Sequence, residues 1–210
     1  MASHLDEQQE LENFKYFWRS KGRWLFAVLL LASLSYLGWV LYQSHKKEKN
    51  QEAASVLAQL LESAQAKKDV KAFNAQLQTL QQNYPGSISA AQATMMAAAE
   101  AFDKKRYDAA ERHLDWVLQN QDTPFVQALA IQRLAVVQLQ QKKYDAALAT
   151  LSRPVDAAFE PEVLEMRGDI YYAQGKKKEA LAAYEQALLK QADSESAGRE
   201  LLQLKAEELK

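Results

Sequence analysis

The chain has 210 residues, of which 48% are hydrophobic and 25% are charged, and 26 basic residues nearly balance 27 acidic ones. The formal net charge of -1 provides no overall positive field for nucleic acid, and the absence of cysteine excludes disulfides and thiolate chemistry. Six glycines and four prolines are few for this length, which predicts short connections between regular elements.

Residues 1–23 form a short polar arm. Within it, Leu11, Phe14, Phe17 and Trp18 recur at helical spacing, which fits an amphipathic helix lying at a membrane surface. An arm that simply continues the following helix fits the same pattern, so both interpretations stay open.

Residues 24–42 contain no charge and are almost entirely apolar. Nineteen helical residues span about 28 Å, close to the hydrocarbon thickness of a bilayer. Aromatic residues lie at both ends, at the boundaries Trp24 and Tyr42, as expected at membrane interfaces. A buried globular helix and a cleaved signal peptide are both disfavoured by this length. We therefore predict one uncleaved transmembrane helix.

The basic residues around this segment favour a cytoplasmic N-terminus, but only slightly. Four precede it and three follow it: Lys15, Arg19, Lys21 and Arg23, against Lys46, Lys47 and Lys49.

Beyond the span, residues 43–52 are charged and read as a helical or flexible stalk. Residues 53–210 are rich in Ala, Leu and Gln, and their apolar residues recur at helical spacing. The sequence therefore predicts an all-α region after the stalk, with no strand.

An internal repeat organises this helical region. The segment FDKKRYDAA at 102–110 matches LQQKKYDAA at 139–147, and AQGKKKEAL at 173–181 matches QQKKYDAAL at 140–148. The shifts are 37 and 33 residues, and a fainter copy ends at Phe73. Stacked helical hairpins bury the apolar face that a single hairpin would leave exposed to water. We predict an α-solenoid of about four hairpins, followed by a capping helix at the C-terminus.

The last copy, GDIYYAQGKKKEALAAYEQAL at 168–188, resembles a tetratricopeptide repeat. Earlier copies are degenerate: alanine replaces the repeat glycine, and Pro154 falls where the second helix normally has its last alanine. The residues expected to pack helix against helix are Ala110, Ala147, Gly168, Tyr171, Gly175, Ala180, Tyr184 and Ala187.

The chain as a whole resembles the YfgM family, through DEQQELENFKYFWRSKGRW, a single span ending in GW, and a short Ala-rich repeat region. The resemblance implies a single-span inner-membrane protein with a cytoplasmic N-terminus and a periplasmic repeat domain. It also implies an ancillary subunit of the Sec translocon that works beside a periplasmic chaperone on emerging secretory proteins.

No pattern of catalytic or cofactor-binding residues is present. His4, His45 and His113 are far apart and lack metal-ligand spacing, and the chain has neither glycine-rich phosphate motifs nor a nucleophile elbow. We therefore expect no enzyme activity, cofactor, metal or small-molecule substrate, and no nucleic-acid partner.

The family's groove-facing positions, carried over to the first helix of the second, third and fourth hairpins, predict a binding groove that is apolar on the side towards the membrane and acidic towards the C-terminus. It suits a segment with apolar anchors and a basic end. The alternative interpretation is that the larger apolar residues of this set pack between helices and that its acidic residues form a solvated face. The positions are Gln92, Met95, Ala99, Phe102, Leu129, Gln132, Val136, Leu139, Glu162, Glu165, Asp169 and Tyr172.

Basic residues recur in the turn between the two helices of each hairpin, at 67–68, 104–106, 142–143 and 176–178. One interpretation is a basic ridge that binds anionic lipid or an acidic partner. The other is that these cations only complement the dipoles of the helices that they end.

Two functions remain open. The first is a membrane-tethered scaffold for protein export. The alternative is a regulatory adaptor whose cytoplasmic arm, residues 1–23, binds a stress-response signalling protein.

Overall fold

The computed structural model describes residues 15, 18, 22–65, 70–191 and 197–210, and every regular element in those ranges is helical. The chain divides into two compact units, Met1–Lys49 and Asn50–Lys210. The predicted arm lies largely outside the described residues, so its amphipathic character stays a prediction.

The first unit is dominated by the N-terminal part of helix α1, which runs without a break over Arg23–Gln65. An 18-residue stretch of this helix has a mean hydropathy of 2.0 and no part of it is buried. Within the described residues it is the one helix long and apolar enough to cross a membrane. The predicted span and the predicted stalk are thus parts of a single helix.

The second unit is a stack of helical hairpins, which confirms the predicted fold class. After α1, whose C-terminal part belongs to this unit, the helices are α2 (Val70–Asn83), α3 (Ile88–Asp103), α4 (Tyr107–Asn120), α5 (Pro124–Gln140), α6 (Tyr144–Thr150), α7 (Glu160–Ala173), α8 (Lys177–Lys190) and α9 (Ala197–Glu207). The four hairpins are formed by α1 with α2, α3 with α4, α5 with α6, and α7 with α8, and α9 packs on α8 as the cap.

The turns of the second, third and fourth hairpins share one backbone conformation, although their sequences differ. Lys105, Lys142 and Gly175 have φ values of 57°, 60° and 75°. In each turn the next amide donates a hydrogen bond to the carbonyl five residues earlier, as in Arg106 N to Ala101 O at 2.8 Å. This is the Schellman ending of a helix, which favours glycine. The repeat shifts of 37 and 33 residues therefore record a real structural equivalence.

Helix α6 has only seven residues, about half the length of its counterparts α4 and α8. Pro154 follows it, and proline lacks an amide donor and disfavours helical backbone in the preceding residue. A short 3-10 turn at Ala157–Phe159 then leads into α7. The degeneracy noted at Pro154 is thus a truncation of the second helix.

In the last three hairpins, a small residue on the first helix is paired with a larger one on the second helix or at its end. Any side chain at Gly168 would overlap the ring of Tyr184, which is itself buried. In the two preceding hairpins, alanine shares a buried cluster with leucine instead of glycine with tyrosine: Ala135 with Leu151, and Ala98 with Leu114. The replaced glycines are therefore matched by smaller residues on the opposite helix.

Candidate protein-binding groove

An apolar groove lies between α3 and α5, the first helices of the second and third hairpins. It consists of two neighbouring cavities, of about 400 Å³ and about 340 Å³, that share Arg133. We call it the α3–α5 groove. The larger cavity is lined by Ile88, Ala91, Gln92, Met95, Met96, Thr123, Phe125, Val126, Leu129 and Arg133. The smaller cavity is lined by Ala98, Ala99, Phe102, Asp103, Leu114, Gln132, Arg133, Val136, Val137 and Met166.

The predicted groove residues of these two hairpins divide into accessible and packed positions. Ala99 and Val136 are exposed and line the smaller cavity, while Phe102, Leu129 and Gln132 are half-buried on the cavity walls. Gln92 is exposed and lines the larger cavity, whereas Met95 and Leu139 pack against buried clusters, with Met95 only 6% exposed. Some of the predicted residues therefore line an accessible groove and others pack between helices. Contact with a partner stays a prediction.

Large apolar side chains stand at the mouth of the larger cavity. Phe125 is 60% exposed, and its ring centroid lies 6.0 Å from that of Phe159. Ile88 is also exposed and lines the same cavity. Aromatic and aliphatic groups that border a concave apolar surface are the usual anchors of protein interfaces.

The predicted acidic end of the groove is occupied by the chain's own C-terminal helix. Lys205 of α9 donates hydrogen bonds to Glu165 Oε1 at 2.8 Å and to Asp169 Oδ1 at 2.8 Å. Tyr172 donates a hydrogen bond of 3.4 Å to Glu208, which directly follows α9. Of the predicted acidic residues, Glu162 alone is exposed and has no ion pair among the described residues. A basic end on a partner would therefore compete with Lys205.

Electrostatics stabilise this closed end. Burial lowers the pKa of Lys205, but hydrogen bonds and Coulomb attraction from Asp169 and Glu165 outweigh it, so the pKa is raised overall. Burial, followed by the hydrogen bond that its hydroxyl donates to Asp169 at 2.8 Å, raises the pKa of Tyr184. The ammonium group of Lys205 also lies 5.7 Å from the centroid of the Tyr184 ring.

The basic turns are partly neutralised within the fold. Lys143 forms an ion pair of 3.0 Å with Glu111 of the preceding hairpin, and Lys104 pairs with Glu100. Lys67 and Lys68 lie outside the described residues. The basic ridge therefore carries less free charge than its sequence suggests, and its contact with lipid stays a prediction.

Two charged residues of this surface were missed by sequence reasoning. Arg133 is the single charged residue of α5, and this isolation among apolar residues was a usable signal. Lys205 carried no such signal, because nothing in its neighbourhood indicates that α9 folds back on α7.

Among the described residues, no group of three or more His, Cys, Asp or Glu side chains is placed to hold a metal ion. The described residues do form a concave apolar surface on a stack of helices, and one helix among them is exposed, long and apolar. That combination defines a helical-repeat protein with a candidate membrane anchor.

Comparison with known proteins agrees with this class. A family model described as a tetratricopeptide repeat-like domain matches residues 15–210. The chain is 60% identical over all 210 residues to a protein of Neisseria gonorrhoeae named ancillary SecYEG translocon subunit, and the match covers 100% of both chains.

More distant relatives carry the same name. A Haemophilus influenzae protein is 30% identical over 188 residues, covering 89% of this chain and 91% of the relative. An Escherichia coli protein is 25% identical over 210 residues, covering 100% of this chain and 99% of the relative. No solved structure matches the chain. The chain belongs to the family of tetratricopeptide repeat-like proteins whose curated members are named ancillary SecYEG translocon subunits, which confirms the resemblance seen in the sequence.

Proposed function

We propose that this protein is a non-enzymatic, membrane-anchored scaffold that associates with the Sec translocon in the bacterial inner membrane. The observation that carries the proposal is the 60% identity, over the full length, to a protein named for that association. The exposed apolar helix supports it, because a membrane-spanning helix restricts the protein to the plane of the membrane and raises its effective concentration near a membrane partner.

In this proposal the domains keep the predicted bounds. Residues 1–23 are a cytoplasmic arm, 24–42 cross the membrane, 43–52 form a helical stalk, and 53–210 form the periplasmic repeat domain. The slight excess of basic residues before the span favours this orientation. Protease added to spheroplasts should digest residues 53–210 and leave the arm protected. Digestion only after lysis would contradict the orientation.

The α3–α5 groove is proposed to hold apolar segments of polypeptides during export, including segments of a periplasmic chaperone or of its clients. Its accessible apolar side chains support this role, because an unfolded or partly folded polypeptide presents apolar side chains that such a surface can bury.

Affinity purification of the full chain in mild detergent tests the proposal. Translocon subunits should co-purify with it, and they should be lost when residues 24–42 are replaced by an unrelated span of equal length. Retention of the translocon by the replaced span would move the contact to the repeat domain. A cytoplasmic protein that requires only residues 1–23 would instead support the regulatory adaptor.

The groove is tested separately with Phe125→Asp combined with Val136→Asp. Both side chains are accessible, whereas the buried Met95 would report on folding instead. The double variant should keep its helical circular dichroism and lose apolar partners in periplasmic crosslinking. Leu189→Asp is the matched control, because Leu189 is 77% exposed on α8, outside the groove. Equal crosslinking by all three proteins would contradict the groove's role.

A further inference from the structure

The charge shared by the two cavities of the α3–α5 groove, that of Arg133, has no counterpart in the described part of the chain. Arg133 lines both cavities and is exposed, and among the described residues no side chain or carbonyl forms an ion pair or hydrogen bond with it. Asp103 also lines the smaller cavity, but it forms no ion pair with Arg133. A guanidinium group bordered by apolar walls is a strong site for a carboxylate, which it can bind through two parallel hydrogen bonds.

We infer that the α3–α5 groove selects apolar polypeptide segments that carry an internal carboxylate side chain, which Arg133 binds between two apolar anchors. The inference rests on the proposed function, because it specifies the chemistry of the segment that the groove holds. It also reverses the sequence-based expectation of a partner with a basic end, since Lys205 already occupies the acidic positions Glu165 and Asp169.

The position of Arg133 distinguishes a side-chain carboxylate from a chain terminus. Apolar cavities lie on both sides of it, with Phe125 and Leu129 in one and Phe102 and Val136 in the other. A segment that fills both cavities must continue in both directions past the charge. A C-terminal carboxylate at Arg133 would leave one cavity empty.

The length of the groove sets the size of the segment. Helix α3 has 16 residues, and a helix of that length extends about 24 Å, which corresponds to about seven residues of extended chain. Side chains two apart in an extended segment, or three to four apart in a helical one, point to the same side. Anchors at these spacings on either side of the carboxylate are therefore suitable probes.

The test uses the full chain in detergent micelles and fluorescent 13-residue peptides of Ser and Ala with one central Glu. One series has Leu two residues to each side of the Glu, and the other has Leu four residues to each side. Matched peptides replace Glu with Gln or Lys, and a further peptide ends in a C-terminal carboxylate after one Leu. Binding is measured by fluorescence anisotropy at low and high salt.

The Glu peptide of at least one series should bind roughly tenfold more tightly than its Gln counterpart, as expected for a charged hydrogen-bonded pair. The preference should shrink at high salt. Arg133→Glu should invert it, so that the Lys peptide binds more tightly than the Glu peptide. Lys178→Glu, which makes the same change in net charge at an exposed residue of α8, should leave the preference unchanged.

The outcomes separate this inference from the proposed function. Equal binding of the Glu, Gln and Lys peptides that is lost in the Phe125→Asp, Val136→Asp variant would overturn the inference and leave the apolar groove intact. Tighter binding of the C-terminal peptide than of the internal Glu peptides would also overturn it. Binding of no peptide at all would overturn the groove's proposed role together with the inference. Circular dichroism of each variant checks that loss of binding is not loss of fold.

Discussion

The first helices of the third and fourth hairpins occupy equivalent positions in the stack, yet they present different surfaces. Helix α5 borders an apolar groove, and the one charged residue of this helix, Arg133, has no partner among the described residues. Helix α7 carries Glu165 and Asp169, and both are bound by Lys205 of the chain's own cap. The same scaffold thus leaves one inner face accessible and satisfies the other internally. The inner face of a repeat is therefore a binding surface only where no other part of the chain has already covered it.

The largest expected effect concerns the tight packing of the covered end. Gly168→Ala should destabilise the protein by about 2 kcal/mol, because the added methyl group overlaps the buried Tyr184 ring. Thermal and urea unfolding of the full chain in detergent, followed by circular dichroism at 222 nm, would measure the change. Gly86→Ala is the matched control, because a side chain there meets no atom within 4 Å.

A second substitution reverses the sign of that effect. In the background Tyr184→Leu, which copies the Ala135–Leu151 pair of the third hairpin, Gly168→Ala should stabilise the helix by up to about 1 kcal/mol through its better helix propensity. A double-mutant cycle measures this coupling. Independent effects of the two substitutions would show that the small-and-large pairing is not what limits position 168.

The next effect tests what keeps the cap in place. Lys205→Met should cost about 1 kcal/mol at pH 8, since it removes a partly buried ammonium group that binds two carboxylates. Because the folded pKa of Lys205 is raised above 10.5, its stabilisation is complete below the unfolded-state pKa and is lost as the pH rises through the folded-state pKa.

The difference in stability between the wild type and Lys205→Met should therefore be constant near neutrality and shrink above about pH 10.5. Unfolding curves of both proteins at several pH values check this. Lys178→Met, at an exposed lysine of α8, should show no such difference. A gap between wild type and Lys205→Met that persists in strong alkali would assign the effect to packing of the lysine stem.

The smallest effect concerns the turns that both regions share. Lys142→Gly should stabilise the third hairpin by about 0.5–1 kcal/mol, because φ is 60° at this position and glycine adopts positive φ without strain. Gly175→Ala should cost a similar amount in the fourth hairpin. Opposite shifts in the unfolding midpoint would confirm one common turn. Shifts of the same sign would indicate that the lysine side chain itself stabilises the turn.

Local pattern in the sequence was sufficient to predict the helices, the number of hairpins and the apolar span. Uncharged length, helical spacing and the shifts of 37 and 33 residues are properties of neighbouring residues, and the structure agrees with each. Pro154 in the sequence also indicated that the second helix of the third hairpin, α6, is altered.

The groove was predictable only in part, because its character depends on contacts between distant segments. The helical spacing placed both Met95 and Val136 on the groove-facing side of their helices. Only the packing of the fold decides that Met95 is buried and Val136 is exposed. The acidic residues of α7 looked accessible since their partner, Lys205, is 36 residues beyond Asp169 in the chain. Arg133 was visible as a lone charge, but its place between two cavities required the fold.

The pairing of Gly168 with Tyr184 constrains how this sequence can diverge. A methyl group gained at the first position is compatible with the fold once the ring at the second has been exchanged for a smaller side chain, as in the two preceding hairpins. The order of the two substitutions then matters, because the aromatic ring must be lost before the glycine. An alignment of relatives should accordingly show these two columns changing together, with alanine beside an aromatic residue as the combination that is missing.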